Sequence, residues 1–244
     1  MTTLPLQDKI VLVTGAGQRL GQAIALHLAQ AGAHVAVHYH QSVAGAAETC
    51  AKIRALGRQA LPLAADLSQP PAIDAMFAEL TTTYGELHVL VNSAAVFVAQ
   101  PLLALDYATW QHSLAVNLTA PLLCCQAAAR LMSPGGCIIN ISDIGGSRAW
   151  VKHPAQSITK AALNMLTQTA ARSLAPHIRV NGVAPGLILP ADTESSATWQ
   201  ALQAKVPLGK TGQPLDVAAA VLFLVTQPYL TGITLPVSGG WELV

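Results

Sequence analysis

The chain has 244 residues, of which 52% are hydrophobic and only 10% are charged, and its formal net charge is +1. This length suits a single α/β domain with a large core, and the near-zero charge argues against nucleic acid or an anionic membrane surface as a partner. We see no apolar run of about 18 residues that would span a bilayer and no basic-then-apolar signal peptide, so we expect neither membrane insertion nor secretion.

The first informative segment is a short apolar stretch that leads into a glycine-rich turn. From Lys9 the chain reads KIVLVTGAGQRLG, and an amphipathic segment, Gln22 to Ala31, follows directly. Glycine lets a backbone approach a pyrophosphate, and a helix N-terminus offers unpaired N–H groups and the positive end of a dipole. This strand–turn–helix order predicts a dinucleotide site. Arg19 stands at its mouth, where a planar guanidinium suits a phosphate.

Strand and helix patterns alternate along the rest of the chain. The alternation predicts an α/β fold with a doubly wound parallel sheet of about seven strands and helices on both faces, a Rossmann-type arrangement that forms one domain over residues 1–244. We expect strands at Ile10–Thr14, His34–Tyr39, Gln59–Ala65, Val89–Asn92, Cys137–Ser142, Arg179–Ala184 and Ile233–Val237. We expect further helices at Ala44–Leu56, Pro71–Tyr84, Tyr107–Leu131, Gln156–Leu174 and Leu215–Leu224.

The end of the second strand favours NADP over NAD as the dinucleotide. Sites for NAD usually place Asp or Glu there to bind the ribose 2′-hydroxyl, whereas this segment reads HYHQS from His38. Without a carboxylate, nothing there repels a 2′-phosphate, and Arg19, His40 and Ser42 are available as donors. His38 and His40 are otherwise ordinary strand residues. Asp66, after the third strand, is a candidate acceptor for the adenine amino group or else an acid at a helix N-terminus.

The least regular part of the chain lies between Pro185 and Pro207 and is rich in Pro, Ser and Thr. Long irregular segments at the ends of strands often cover a site, so residues 186–207 are predicted to form a flap over the substrate. Trp199 in this segment, like Trp150 before it, is a candidate for the pocket lining or for packing.

Four cysteines occur in the chain, at positions 50, 124, 125 and 137. They form no Cys-x-x-Cys pair and have no histidine at a zinc-site spacing, so no metal site is predicted. Their number and placement favour a reducing, cytoplasmic compartment in which they are small core residues.

Motifs along essentially the whole chain resemble those of the short-chain dehydrogenase/reductase family. In chain order they are Thr14-Gly15, Asn92-Ser93-Ala94-Ala95, Asn117, Ile139-Asn140-Ile141-Ser142, Lys160, Asn181-Gly182-Val183-Ala184-Pro185-Gly186 and Ser238-Gly239-Gly240. Within the family, the chain is most similar to the pteridine and dihydromonapterin reductases. This likeness rests on Thr-Gly-x-x-x-Arg-Leu-Gly at 14–21, His-Tyr-His-x-Ser at 38–42, and Asp143 where most relatives carry serine.

The resemblance implies an oxidoreductase that uses NADP(H) on a small-molecule substrate and assembles as a homotetramer through its long helices. It also implies which residues would hold the cofactor: Gly15, Gln18, Arg19, Leu20, His40, Ser42, Asp66, Leu67, Asn92, Ala94, Lys160, Pro185 and Gly186.

The family's catalytic tyrosine is replaced here by Gln156, four residues before Lys160. In the family, the lysine holds the nicotinamide ribose and lowers the pKa of the tyrosine, so that the phenol protonates a carbonyl oxygen. An amide has no titratable proton, so Gln156 is able to orient a substrate but not to act as a general acid. Asn117 resembles the family asparagine that keeps a water chain near the lysine.

Three explanations for the missing tyrosine stay open. In the first explanation, the reaction is the reduction of a C6=N5 imine. The proton then comes from Asp143, whose pKa is raised in an apolar pocket, or from water relayed through Asp143. Alternatively, His153 replaces the tyrosine, since its offset of seven residues from Lys160 resembles that of the tyrosine in the enoyl reductases. Finally, the protein binds nucleotide without turnover, as a sensor or partner subunit.

Phe97 indicates a planar heteroaromatic substrate. It follows the fourth strand and resembles a phenylalanine that stacks on the pterin ring in the pteridine reductases. We therefore expect NADPH-dependent reduction of a pterin-like planar imine, dihydropterin to tetrahydropterin. In this reading Lys160, Asn117, Asp143 and Gln156 are catalytic, and Phe97 contacts the substrate together with Asp143 and Gln156.

Overall fold

The computed structural model describes residues 4–190 and 195–244, and a parallel sheet lies at its centre. The seven strands are β1 Ile10–Val13, β2 His34–Tyr39, β3 Ala60–Ala64, β4 Val89–Asn92, β5 Gly136–Ile141, β6 Ile178–Pro185 and β7 Thr234–Val237. Their spatial order is β3-β2-β1-β4-β5-β6-β7, and each neighbouring pair is parallel. The predicted α/β fold is confirmed. The strand order reverses between β1 and β4, which places a crevice at their carboxyl ends.

Helices cover both faces of the sheet. They are α1 Arg19–Gln30, α2 Val43–Ala55, α3 Pro70–Tyr84, α4 Tyr107–Leu114, α5 Ala120–Leu131, α6 Pro154–Leu174, α7 Ser196–Gln203 and α8 Pro214–Thr226. Successive side chains of a strand point to opposite faces. Val11 and Val13 of β1 therefore pack with α1, α2 and α8, whereas Ile10 and Leu12 pack with α3, α5 and α6.

Most predicted boundaries agree with the structure to within two residues, and the exceptions have local causes. Helix α1 begins at Arg19 rather than at Gln22, directly after the glycine turn. The single helix predicted for Tyr107–Leu131 is interrupted by a π-helical turn, Ala115–Thr119. The predicted flap contains α7, and its residues 191–194 lie outside the described part of the chain.

The stretch Tyr107–Leu131 also corrects the expectation that no part of the chain is apolar and long enough to span a bilayer. The stretch has 25 residues and contains an 18-residue window with a mean hydropathy of 1.3, which is long and apolar enough to span a bilayer. In the fold, however, α5 packs against α3, α6 and β4. Core helices of globular proteins commonly pass the same test, so the finding is weak evidence for a membrane span.

Candidate active site

A crevice of about 580 Å³ opens at the carboxyl ends of the strands, where the strand order reverses. Parallel α/β sheets commonly bind their ligands at this position. Fourteen of the predicted site residues line it: Gly15, Gln18, Arg19, Leu20, His40, Ser42, Asp66, Leu67, Ala94, Asp143, Gln156, Lys160, Pro185 and Gly186.

The glycine-rich turn after β1 forms one wall of this crevice. Gly15 has a φ of +68°, and a Cβ atom there would lie 2.9 Å from the Cα atom of Ala94, so a side chain is excluded by strain and by contact. At the start of α1, Gln18 makes no side-chain cap hydrogen bond, and the first turn contains no acidic residue. The helix N-terminus therefore keeps N–H groups and a positive dipole end for an anion, as a pyrophosphate requires.

His38 stabilises the glycine turn through hydrogen bonds, a role that the sequence did not predict. The Gly15 N–H donates to His38 Nδ1 at 3.0 Å, and His38 Nε2 lies 3.1 Å from the Ala65 carbonyl oxygen, to which it donates. Burial, helped by the neighbouring His40, lowers the pKa of His38 to about 4, so the ring is neutral at pH 7. A histidine inside an otherwise apolar strand beside a glycine turn is the signal that could have identified it.

The predicted phosphate-binding residues gather at the outer end of the crevice. Arg19 adopts a φ of +52°, and its Nη2 atom donates to the Pro190 carbonyl oxygen at 2.5 Å. His40 is exposed and Ser42 half-buried, and both line the crevice. Asp66 Oδ1 accepts from the Ser68 N–H at 2.9 Å, and this hydrogen bond is the largest cause of its lowered pKa. The bond fits the interpretation of Asp66 as an acid that caps the turn before α3.

Asn92, predicted to bind the cofactor, has its side chain in a buried connection beneath the crevice. Its Nδ2 atom donates to Asn140 Oδ1 at 2.9 Å, and Asn140 Nδ2 donates to Thr167 Oγ1 at 3.0 Å. Asn92 is only 3% exposed, and it is not among the described residues that line the crevice. Its side chain therefore links β4 to β5 and α6, and a contact between Asn92 and the cofactor stays a prediction.

At the inner end of the crevice, a hydrogen-bond chain joins Asn117, Gln156 and Asp143. Asn117 Oδ1 accepts from the Val96 N–H and its Nδ2 donates to the Val96 carbonyl oxygen, both at 2.9 Å, which fixes the orientation of its amide. Asn117 Nδ2 also faces Gln156 Oε1 at 3.3 Å, and Gln156 Nε2 donates to Asp143 Oδ2 at 3.2 Å. The Val96 backbone thus determines, through Asn117, which end of the Gln156 amide meets the carboxyl group.

Asp143 and Lys160 both titrate away from their ordinary ranges. Burial raises the pKa of Asp143, against the opposing effects of the Gly145 N–H at 2.6 Å, the Gln156 amide and the charges of Lys160 and His153. Burial lowers the pKa of Lys160 to about 8, and the charge of Asp143 opposes that shift. Lys160 Nζ donates to the Ile141 carbonyl oxygen at 2.7 Å. The site therefore holds a carboxyl group that is easier to protonate and an amine that is easier to deprotonate than usual.

An aromatic group lies beside this inner end. The rings of Phe97 and His153 are tilted by 30° with their centroids 4.3 Å apart, and Trp150 approaches both at 6.1 Å. Phe97 is 46% exposed and is not among the described residues that line the crevice. His153 Nδ1 lies 3.2 Å from the Val98 carbonyl oxygen, to which it donates. Trp199 is half-buried on α7.

The cysteines are free thiols in the core. All four are buried, and burial raises the pKa of Cys125 to about 12 and that of Cys137 to about 11. Within residues 4–190 and 195–244, no group of three or more His, Cys, Asp or Glu side chains is arranged to hold a metal ion.

Comparison with known proteins agrees with this geometry. A family model described as Enoyl-(Acyl carrier protein) reductase matches residues 15–242. A 3-oxoacyl-[acyl-carrier-protein] reductase from Synechocystis sp. is 36% identical and covers 98% of each chain. The protein named FabG from Staphylococcus aureus, also a 3-oxoacyl-[acyl-carrier-protein] reductase, is 36% identical over 95% of this chain and 97% of its own.

Solved structures share the same fold. The angucycline C-6 ketoreductase LanV with bound NADP superposes with a TM-score of 0.93, is 32% identical and covers 98% of both chains. A short chain dehydrogenase from Burkholderia cenocepacia in complex with NADP gives a TM-score of 0.92 at 35% identity, over 98% of this chain and 99% of its own. The matched family model, the relatives and the crevice geometry together show that the chain belongs to the short-chain dehydrogenase/reductase family of NAD(P)-dependent oxidoreductases.

Proposed function

We propose that the protein uses NADPH to reduce a pterin-like planar imine, converting a dihydropterin to a tetrahydropterin, with Asp143 as the source of the proton. The observation that carries this proposal is the chain from Asn117 through Gln156 to Asp143. In this chain of hydrogen bonds, protein groups engage both the oxygen and the nitrogen of the Gln156 amide. The carboxyl group of Asp143, whose pKa is raised, lies on the crevice wall.

NADP(H) fits the residues at the outer end of the crevice. The side-chain-free wall at Gly15 and the uncapped start of α1 suit a pyrophosphate. The segment after β2 offers no carboxylate to repel a 2′-phosphate, and Arg19, His40 and Ser42 lie around the same end. The solved relatives with bound NADP support the same choice. When bound, the cofactor would supply the hydride, and Lys160 would hold its nicotinamide ribose.

Asp143 is suited to deliver a proton to a ring nitrogen. Reduction of the C6=N5 double bond needs a hydride at C6 and a proton at N5, and it leaves Asp143 as a carboxylate that water reprotonates. Burial favours the protonated form of Asp143 before transfer, and the Gly145 and Gln156 N–H groups stabilise the carboxylate after it. Phe97 would stack against the ring that is reduced.

A second candidate function is nucleotide binding without turnover, as a sensor or partner subunit. The observation that favours it is that Gln156, at the position where the resemblance implies a phenol, has both its amide oxygen and its amide nitrogen engaged by protein groups. Carbonyl reduction, the activity in the names of several relatives, needs an acid at the oxygen that an amide does not supply.

The test is NADPH oxidation by the purified protein with a 7,8-dihydropterin, a fully oxidised pterin and a simple ketone run in parallel. We expect turnover of the dihydropterin alone. Tight NADPH binding without turnover of any of the three would support the binding protein instead. The variant Gln156→Tyr sharpens the result, because a gain of ketone reduction would show that the scaffold is intact and lacks only the acid.

We also propose a homotetrameric assembly in the cytoplasm. Apolar side chains are exposed on the two neighbouring helices α5 and α6, Leu122 on α5 and Ile158 and Met165 on α6, as expected if these helices pair between subunits. Sedimentation should give four times the chain mass of 25.3 kDa. A monomer would contradict the proposed assembly.

A further inference from the structure

Three of the chain's few aromatic residues meet outside the inner end of the crevice. The sequence has 4 Trp, 4 Tyr and 3 Phe in 244 residues. Trp150 lies between two of the others, with its ring centroid 6.1 Å from Phe97 and 5.8 Å from Trp241. All three side chains remain partly exposed. The pair Trp150 and Trp241, with interplanar angle 42°, is therefore open to solvent rather than sealed in the core.

This pair adjoins the proposed proton donor. A Cβ atom placed on Gly145 would lie 3.3 Å from Trp150 Cδ2 and 3.0 Å from Asp143 Oδ1. The indole of Trp150 and the carboxyl group of Asp143 therefore both lie beside Gly145. The same glycine donates its N–H to Asp143. A ring reduced beside Asp143 would consequently have its outer edge near Trp150.

Both tryptophans are held in place from the backbone. Ser157 Oγ accepts from the Trp150 N–H at 3.0 Å, and Ser157 directly follows Gln156 on α6. Arg148 Nη1 donates to the Trp241 carbonyl oxygen at 2.9 Å, which ties the C-terminal turn Trp241–Leu243 to the loop before Trp150. Ser238, which directly follows β7, also donates its Oγ–H to the Glu242 carboxylate of this turn. These hydrogen bonds fix the backbone of both residues, so the loop and the C-terminal turn need little rearrangement when a ligand binds.

We propose that Trp150 and Trp241 form a second aromatic subsite, which binds an aromatic ring attached to the ring that is reduced. The inference rests on the proposed function, since the reduced ring is the one beside Asp143. Aromatic rings attract one another in offset or edge arrangements at centroid distances of about 4.5–7 Å, and the Trp150–Trp241 pair offers such a partner. The preferred substrate is therefore an imine that carries an aryl group, not a small alkyl group, on the carbon of its C=N bond.

The test compares 6-phenyl- with 6-methyl-7,8-dihydropterin in the wild type and in Trp241→Ala. The ratio of kcat/KM for the phenyl compound to that for the methyl compound should fall by up to about tenfold in Trp241→Ala, since an aromatic pair accounts for roughly that factor. Trp241→Phe should restore most of the ratio. Trp110→Ala, a half-buried tryptophan on α4 without a ring contact to this group, is the matched control and should keep it. An unchanged ratio in Trp241→Ala would overturn the subsite.

Equilibrium binding separates failure of this inference from failure of the proposed function. If neither dihydropterin is turned over, the proposed function fails, but calorimetry with 6-phenylpterin and 6-methylpterin on the NADP⁺-loaded protein still tests the subsite. Tighter binding of the phenyl compound that is lost in Trp241→Ala and kept in Trp110→Ala would support it. Equal affinities for the two compounds in the wild type would overturn it.

Discussion

At the outer end of the crevice the site is formed mainly by backbone, from Gly15 through the start of α1, whereas at its inner end it is formed by side chains from three separate segments. The outer wall depends on the absence of side chains and on uncapped N–H groups within a few consecutive residues. The inner wall depends on Asn117 in the π-helical turn, Gln156 in α6 and Asp143 after β5. The outer wall, formed by consecutive residues, should tolerate substitutions elsewhere in the chain. The inner wall should be altered by a substitution at any one of Asn117, Gln156 and Asp143.

The pKa shifts follow the same division. At the outer end, the lowered pKa of His38 keeps a neutral ring that both accepts and donates, so its effect is on the shape of the turn. At the inner end, burial raises the pKa of Asp143 and lowers the pKa of Lys160. The charge of each residue stabilises the charge of the other and so opposes the other's shift. Substitutions at the outer end should therefore change cofactor affinity and stability, and those at the inner end should change the rate and its pH dependence.

The largest expected effect is at the inner end, in Asp143→Asn. Removing the proton donor should lower kcat for a dihydropterin by about 10²–10⁴-fold, the usual contribution of a general acid. The Kd for NADPH should change little, because the glycine turn and Arg19 are untouched. Stopped-flow kinetics and fluorescence titration measure the two quantities. Full activity in Asp143→Asn would remove Asp143 from the mechanism.

The pH dependence of kcat in the wild type should show the titration of Asp143. The acid acts when protonated, so kcat should be constant at low pH and fall by about tenfold per unit once the pH exceeds the raised pKa of Asp143. The residual activity of Asp143→Asn should lack this descent. A profile that rises with pH over the same range would instead indicate a base.

At the outer end, the role of His38 is tested by the free energy of unfolding at acid pH. The pKa of His38 is lowered from 6.5 to about 4, so below pH 6.5 the unfolded chain binds a proton that the folded chain does not. The free energy of unfolding should therefore fall as the pH drops from 6.5 towards 4, by about 3 kcal/mol in all. Urea titrations at pH 7 and pH 4.5 measure it. His38→Gln, which does not titrate, should show a smaller decrease between these pH values, and an equal decrease would assign the effect to other groups.

Arg19 provides a smaller test of the same end. The variant Arg19→Gly suits the φ of +52° and so removes the guanidinium without backbone strain. Loss of a charge-assisted hydrogen bond of about 1.5–3 kcal/mol should weaken NADPH binding by roughly 10–100-fold and NADH binding much less. Arg19→Lys, which keeps the charge, is the control. Equal losses for the two cofactors would exclude a contact with the 2′-phosphate.

The sequence predicted which residues gather at the crevice better than it predicted their hydrogen-bond partners, for a physical reason. The glycine spacing, Arg19 and the absence of a carboxylate after β2 act within short segments, and the structure brings these residues to one crevice. The roles of His38 and Asn92 depend on pairing between strands, which periodicity does not reveal. The Asn117–Gln156 contact depends on the π-helical turn, whereas the apolar pattern predicted one regular helix.

The smallest effect is expected for Gln156→Met, which tests how the inner residues act on one another. Methionine has nearly the length of glutamine but no N–H group, so Asp143 Oδ2 loses the donor now at 3.2 Å. That donor opposes the raised pKa of Asp143, and its removal should shift the descending limb of the pH profile to higher pH. At low pH, kcat/KM should stay within about tenfold of the wild type, since one neutral hydrogen bond contributes about 1 kcal/mol. A loss as large as that of Asp143→Asn, without a shift of the limb, would mean that Gln156 contacts the reacting atoms and does not act through Asp143.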